Sequence, residues 1–291
     1  MQIECTLGPG IGWRPELAAA IQRRAEAGRL GFVEIIAEDF DPAGPVPAPL
    51  RRLADLGVRI VPHGVTLSLG GAEPPDPARL SRLARLAEKF AAPLVSEHVC
   101  FVRGGGLESG HLLPLPRDRA TLEIAAANIR AASAALPVPL AVENIASLLE
   151  WPAPEMDAPA FLSELLSTTG AGLLLDLENV YADSLNFGFD PVAFVERLPL
   201  DRLSYVHVSG GVKRADGLYH DTHVHPTPPA VLRLVEELAA RCDVPGVLLE
   251  RDGRFPPEAE LNAELDAIAE AETRGRTRRS GREATRELEP P

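Results

Sequence analysis

Aromatic side chains are scarce in this chain of 291 residues, at 5%, and its three cysteines, Cys5, Cys100 and Cys242, are far apart. An odd number of scattered thiols gives no disulfide framework and fits a reducing cytoplasm. No stretch approaches the ~18 apolar residues that a membrane span needs, and the N-terminus has no basic region followed by an apolar run. A secreted or membrane-bound protein is therefore not expected. Positive charge is in deficit: 29 Lys and Arg against 42 Asp and Glu leave a formal net charge of −13. Nucleic-acid grooves rely on clustered Lys and Arg, so that class of partner is disfavoured. The glycine-rich stretch Gly8-Pro9-Gly10-Ile11-Gly12 lacks the spacing of a dinucleotide fingerprint and is interrupted by Pro9. Internal repeats and interior linkers are also missing.

What is present is an ordinary globular balance, 45% hydrophobic and 24% charged, with 28 Pro and 24 Gly for sharp connections. Short apolar runs alternate with amphipathic stretches. The runs are Ile3–Leu7, Phe32–Ala37, Val58–His63, Leu94–Cys100, Leu140–Glu143, Leu173–Asp176, Leu203–Val208 and Val247–Glu250. Most are nearly continuous, as in parallel strands buried on both faces. Between them, Pro77–Phe90, Ala120–Ala135 and Pro229–Ala240 carry helical stripes, with Glu16–Ala27 and Pro159–Ser167 weaker. Eight strands in βα alternation predict an α/β fold, a (β/α)8 TIM barrel, as a single catalytic domain over residues 1–270. The polar remainder, 271–291, is predicted to be a disordered tail.

The polar residues fall in a telling place. His63, His98, Glu143, Asp176, His207 and Glu250 each lie at or near the carboxyl end of a different run. In a barrel all six converge on the face where active sites are built. Asn179 follows Asp176, and Asp221 with His223, two apart and so pointing the same way in an extended segment, follows His207. A lone histidine at a strand end is more often a hydrogen-bonded structural residue. Three imidazoles and three carboxylates together, without a cation, would leave like charges desolvated side by side, so a polynuclear metal site is the better reading.

Other features are weaker. Gly104-Gly105-Gly106 reads as a turn, Cys100 as a small buried hydrophobe, and Trp13 with Arg14 as candidates for the pocket mouth. His220 and His225 flank the Asp221/His223 pair, and His111 is either a loop residue or a substrate contact.

The motifs together resemble one family. They are Gly10-Ile11-Gly12 with Arg14, Val33-Glu34-Ile35, His63-Gly64-Val65, Leu67-Ser68-Leu69-Gly70 and Val95-Ser96-Glu97-His98. Leu113-Pro114-Leu115-Pro116, Val142-Glu143-Asn144, Leu175-Asp176, Asn179-Val180-Tyr181 and Gly188-Phe189-Asp190-Pro191 continue the series. Val206-His207, Asp221-Thr222-His223 and Leu249-Glu250-Arg251-Asp252-Gly253 complete it. The chain resembles the multinuclear non-haem iron-dependent oxidative enzymes (MNIO family, which includes the methanobactin-biosynthesis oxidase), along nearly its whole length to about residue 270.

That resemblance implies a xylose-isomerase-like barrel holding two or three iron ions, mixed Fe(II)/Fe(III), with O2 as co-substrate. Glu143 would bridge two ions, one also held by His63 and His98, the other by Asp176, His207 and Glu250. A third would use Asn179, Asp221 and His223. The implied activity is oxidative modification of a ribosomally synthesised precursor peptide (RiPP biosynthesis), at Cys or at Asp or Asn, with a small leader-recognition partner protein. Arg14 and Arg251 are candidate positioning groups for a peptide carboxylate, which a guanidinium meets with two hydrogen bonds. Three positions depart from the common pattern: Glu178 where Asn is frequent, adding negative charge to the expected loop beside Asp176, Gly211 where many members have a further His, and His111 where an acid is frequent. The rival readings are a divalent-metal (Zn) hydrolase or isomerase of the AP-endonuclease/xylose-isomerase type, and a non-catalytic metal- or peptide-binding protein.

Overall fold

The computed structural model describes residues 6–288. Eight parallel strands close into a barrel: β1 (Gly8–Gly12), β2 (Phe32–Ile36), β3 (Arg59–Gly64), β4 (Val95–His98), β7 (Leu140–Glu143), β8 (Gly172–Asp176), β9 (Leu203–Val208) and β12 (Gly246–Leu249). The remaining four strands form two hairpins beyond the strand ends, β5 (Phe101–Gly104) with β6 (Leu107–Leu113) and β10 (Gly211–Lys213) with β11 (Tyr219–Asp221). Helices α1 (Ala18–Glu26), α2 (Ala48–Asp55), α3 (Pro77–Lys89), α4 (Arg119–Ala135), α5 (Ala158–Thr169), α6 (Leu177–Phe187), α7 (Pro191–Glu196), α8 (Pro229–Ala239) and α9 (Glu258–Leu288) follow in chain order.

Aspartates set several helix starts. Asp76, Asp118, Asp157 and Asp190 each accept a backbone N–H of the first turn of α3, α4, α5 and α7, which satisfies donors that a helix end otherwise leaves open. Among the described residues no helix is long and apolar enough to cross a membrane.

The bore of the barrel is layered by the two-residue period of its strands. Leu7, Phe32, Val61, Leu94, Ala141, Leu174, Tyr205 and Leu248 pack together as one buried cluster, the floor. Two residues further along seven of these segments stand Glu34, His63, Ser96, Glu143, Asp176, His207 and Glu250, all buried. The intervening positions, such as Val33, Val142, Leu175 and Val206, belong to the larger core shared with the helices. One alternation thus builds an apolar plug, a polar layer above it and the outer packing.

Three expectations are corrected. The first barrel strand is not Ile3–Leu7, of which residues 3–5 lie outside the described residues, but Gly8–Gly12. Proline and glycine argue against an interior strand, yet a Cβ on Gly10 would lie 2.2 Å from the Phe32 ring. The glycine is what lets that ring fill the floor. Second, the loop expected beside Asp176 is the first turn of a helix: α6 begins directly after Asp176 and carries both Glu178 and Asn179. Third, the polar tail expected to be disordered continues α9 as far as Leu288. Leu261, Leu265, Ile268 and Ala271 are buried, Arg274 and Arg278 pair with Glu236 on α8, and Arg279 pairs with Asp243. The Gly105-Gly106 turn is as expected: both residues have positive φ and join β5 to β6 as a two-residue hairpin loop.

Candidate metal centre

Two groups of donor atoms meet in the polar layer and one step beyond it, where His98 follows Ser96 on β4. His63, His98 and Glu143 form one, and Glu143, Asp176, His207 and Glu250 the other, with the donor atoms of each group within 4.8 Å of one another. Glu143 belongs to both. Its Oε2 lies 3.5 Å from His63 Nε2 and 3.3 Å from His98 Nε2. Its Oε1 lies 3.1 Å from His207 Nδ1, which is also 3.2 Å from Glu250 Oε2.

The Asp221/His223 pair adjoins the second group. His223 Nε2 is 2.6 Å from Asp221 Oδ2 and 3.7 Å from Glu250 Oε2, while Ser209 Oγ donates to Asp221 Oδ1 at 2.9 Å. Asp252 grips His223 twice, donating its N–H to the His223 carbonyl at 2.9 Å and meeting Nδ1 with Oδ2 at 2.9 Å. Asn179 donates through Nδ2 to the Asn144 carbonyl, which turns its oxygen the other way. Asp176 has two tasks: Oδ1 accepts the Asn179 N–H at 2.6 Å, capping α6, and Oδ2 is left over.

The leftover atoms test the fit of a cation. Glu143 Oε2, Asp176 Oδ2, Glu250 Oε2 and Asn179 Oδ1 are buried oxygens with no hydrogen-bond partner. Unpaired buried oxygens are costly unless something positive meets them. The proton affinities report the same surplus of negative charge. Burial works against a charged His98, yet Glu143, with smaller help from Glu97, raises its pKa to about 9. Burial, then Glu143, Glu250 and Asp221, pushes Asp176 well above the usual carboxylate range. Against the same burial, His207 and His98 hold Glu143 low, and His207 and His223 hold Glu250 low. Imidazole nitrogens, carboxylates and one amide oxygen suit Fe(II), Zn or Mn. The residues fit a cluster of divalent cations.

A cavity of about 440 Å³ opens onto His63, His98, His223 and Glu250, walled by Arg14, Val65, Val102, His111 and Leu112. Arg14 is at its edge, donating to the Trp13 carbonyl and paired with Asp252. Arg251 is not: its guanidinium is buried and paired with Glu264 on α9 at 2.5 Å, because the strand end that turns Glu250 inward turns its neighbour outward. Trp13 is likewise buried, against Phe40, and does not line the mouth. Cys100 is buried, its thiol pKa pushed up by that burial, and it belongs to neither donor group. His220 pairs with Asp216 at 2.7 Å and His225 with Thr222 at 2.7 Å.

Several polar residues of the site had no role assigned from the sequence. Glu34, Ser96, Glu97, Asn144 and Asp252 each hydrogen-bond to a candidate ligand, and Tyr205 bonds to Glu34 and Ser96 while its ring packs edge-on against His207. For Ser96 and Glu34 the signal was available: each is a polar residue inside an apolar strand, in phase with the inward positions. Burial, with a smaller contribution from Asp221, raises Glu178 to about 8, and Tyr219 donates to it.

Comparison with known proteins agrees with this geometry. The family model described as RiPP precursor modification enzyme MbnB/TglH/ChrH matches residues 8–273. A UPF0276 protein of Streptomyces avermitilis is 49% identical over 280 residues, covering 94% of this chain and 56% of that protein. A UPF0276 protein of Bordetella bronchiseptica is 38% identical, covering 91% of this chain and 93% of the relative. The chain thus spans little more than half of the Streptomyces relative and nearly all of the Bordetella one. Among solved structures, L-ribulose 3-epimerase superposes with a TM-score of 0.58 at 17% identity, covering 97% of this chain and 99% of the other. Endonuclease IV of Thermus thermophilus gives 0.57 at 18%, covering 90% and 98%. At these identities the likeness is one of fold, the xylose-isomerase-like TIM barrel.

Proposed function

The chain belongs to the family of RiPP precursor modification enzymes MbnB/TglH/ChrH, and on that premise we propose that it uses iron and molecular oxygen to modify a ribosomally made precursor peptide oxidatively, at Cys or at Asp or Asn. The observation that carries this reading is Glu143, one buried carboxylate shared by two donor groups and facing three imidazoles. Such sharing suits two ions held close enough to act together.

His63, His98 and one oxygen of Glu143 would hold the first ion. The other Glu143 oxygen, Asp176, His207 and Glu250 would hold the second, and Asn179, Asp221 and His223 a third. Iron bound there would supply one-electron chemistry toward O2. The chain's own part is to bind and orient. The cavity is sized for a side chain and its neighbouring backbone, and Val65, Val102 and Leu112 in its wall keep water from the reacting carbon. Arg14, steadied by Asp252, is the group in this reading that meets a peptide carboxylate. A small partner protein that recognises the leader and a cytoplasmic location complete the proposal.

The test is O2 uptake by the anaerobically iron-loaded protein, with and without precursor peptides encoded beside its gene and any small neighbouring partner. Uptake matched by a mass change in the peptide is the expected result. Peptide or phosphodiester cleavage without O2 uptake would replace this reading with a metal hydrolase.

A further inference from the structure

Beneath the two donor groups runs a buried chain of hydrogen bonds whose direction can be worked out by counting protons. His63 Nδ1 lies 2.8 Å from Ser96 Oγ, Ser96 Oγ 2.6 Å from Tyr205 Oη, and Tyr205 Oη 2.5 Å from Glu34 Oε2. His207 Nε2 lies 3.0 Å from that same Glu34 oxygen. All five residues are buried, Ser96, Tyr205 and His207 with no exposed surface.

A carboxylate only accepts, so both the Tyr205 hydroxyl and His207 Nε2 donate to Glu34. Tyr205 has then spent its one hydrogen, and the contact with Ser96 requires the serine to donate to the phenol oxygen. Ser96 has spent its own in turn, so His63 must donate from Nδ1. Each neutral imidazole carries one N–H, which leaves the lone pair on Nε2 in His63 and on Nδ1 in His207. Those two nitrogens are the ones that face Glu143. His98 stands apart from this chain, its Nδ1 3.4 Å from Glu97.

We propose that Glu34 is the positioning residue for both donor groups: through Tyr205 and Ser96 it fixes the tautomer of His63, and directly it fixes that of His207. One acid at mid-strand of β2 thereby decides which nitrogen each of two ligands, on two different strands, offers to the site. Tyr205 is more than a floor residue packed edge-on against Phe32; it carries Glu34's influence across the bore. Outer partners of this kind are typically worth 10–100-fold in metal affinity. The inference rests on reading these residues as metal ligands, but not on iron or O2.

Zinc, diamagnetic and suited to the same donors, is the probe. In the zinc-loaded full chain, 15N-resolved imidazole spectra should show a retained Nδ1–H on His63 and a retained Nε2–H on His207. Tyr205→Phe should weaken zinc at the His63/His98/Glu143 group by about 10-fold, at the lower end of that range, and leave the group built on His207 unchanged. Ser96→Ala, a smaller change in the same link, should reproduce that one-sided loss, and Glu34→Gln should weaken both groups. The opposite protonation pattern, or equal losses at both groups in Tyr205→Phe and Ser96→Ala, overturns the proposal while leaving the ligand assignment standing. Failure of zinc to bind the wild-type protein at all overturns both.

Discussion

The candidate ligands hang from two kinds of support. His63, His98, Glu143, Asp176 and His207 project from barrel strands paired on both sides, and all are buried. Asp221 ends a two-stranded hairpin and His223 lies in the loop after it, with a left-handed φ of 54° and a side chain 22% exposed. A strand-borne donor holds its place through the ladder. The hairpin pair depends on local grips, chiefly that of Asp252 on both the backbone and the ring of His223. Of the three proposed ion positions, two therefore rest on the barrel strands and the third on a loop.

That contrast can be broken most severely at the shared residue. Glu143→Ala is expected to empty both strand-borne positions, with metal content falling to a residual held by the hairpin side and activity lost. Elemental analysis of the purified variant checks this. A variant that keeps both equivalents would show that the bridging carboxylate is dispensable.

The floor beneath is the next lever. Leu174 is fully buried two residues before Asp176, and truncation at such a site costs about 2–5 kcal/mol through lost burial and the cavity left behind. Leu174→Ala should lower the denaturant midpoint accordingly while the folded fraction keeps its full metal content. Loss of metal in the folded fraction would mean that the floor, not the ladder, sets the ligand positions.

On the hairpin side, Asp252→Ala should free His223 and cost no more than one metal equivalent, leaving the two strand-borne positions filled. Removing two would erase the distinction between the supports. The smallest effect is expected on chelation. Metal withdrawal should lower stability by mass action, about 2.7 kcal/mol if the ion had been present at a hundred times its dissociation constant. In hydrogen exchange, amides around 221–223 should then exchange faster while those of β9 stay protected. Equal loss of protection in both would contradict preorganisation.

The barrel was legible because its signal is periodic and repeated: apolar runs, each ending in His, Asp or Glu, are separated by helical stripes. Five of the six strand-end residues stand in the polar layer, with His98 two residues past it on β4, and their donor atoms gather in two groups that share Glu143. What was illegible was set by tertiary contact. Gly8–Gly12 looks like a loop until the Phe32 ring is seen to need the space above Gly10. The α6 start carries no glycine or proline to mark it, and Asp176 serves as both cap and candidate ligand. Arg251 reads as a substrate clamp from its motif, but its direction follows from the strand phase, and its partner Glu264 lies in α9, a helix that the sequence does not announce. The Val33-Glu34-Ile35 motif gives Glu34 no role by itself, since its importance comes from Tyr205 and His207, more than 170 residues away in the chain.

Metal per chain after anaerobic purification from iron-supplemented cells tests the central claim most directly. The account expects iron at both strand-borne positions, at least two ions per chain to match the two donor groups, and loss of both in Glu143→Ala. Stoichiometric zinc without iron, with no activity gained on iron reconstitution, would contradict it; the reconstitution is needed because zinc can occupy an iron site by higher affinity alone.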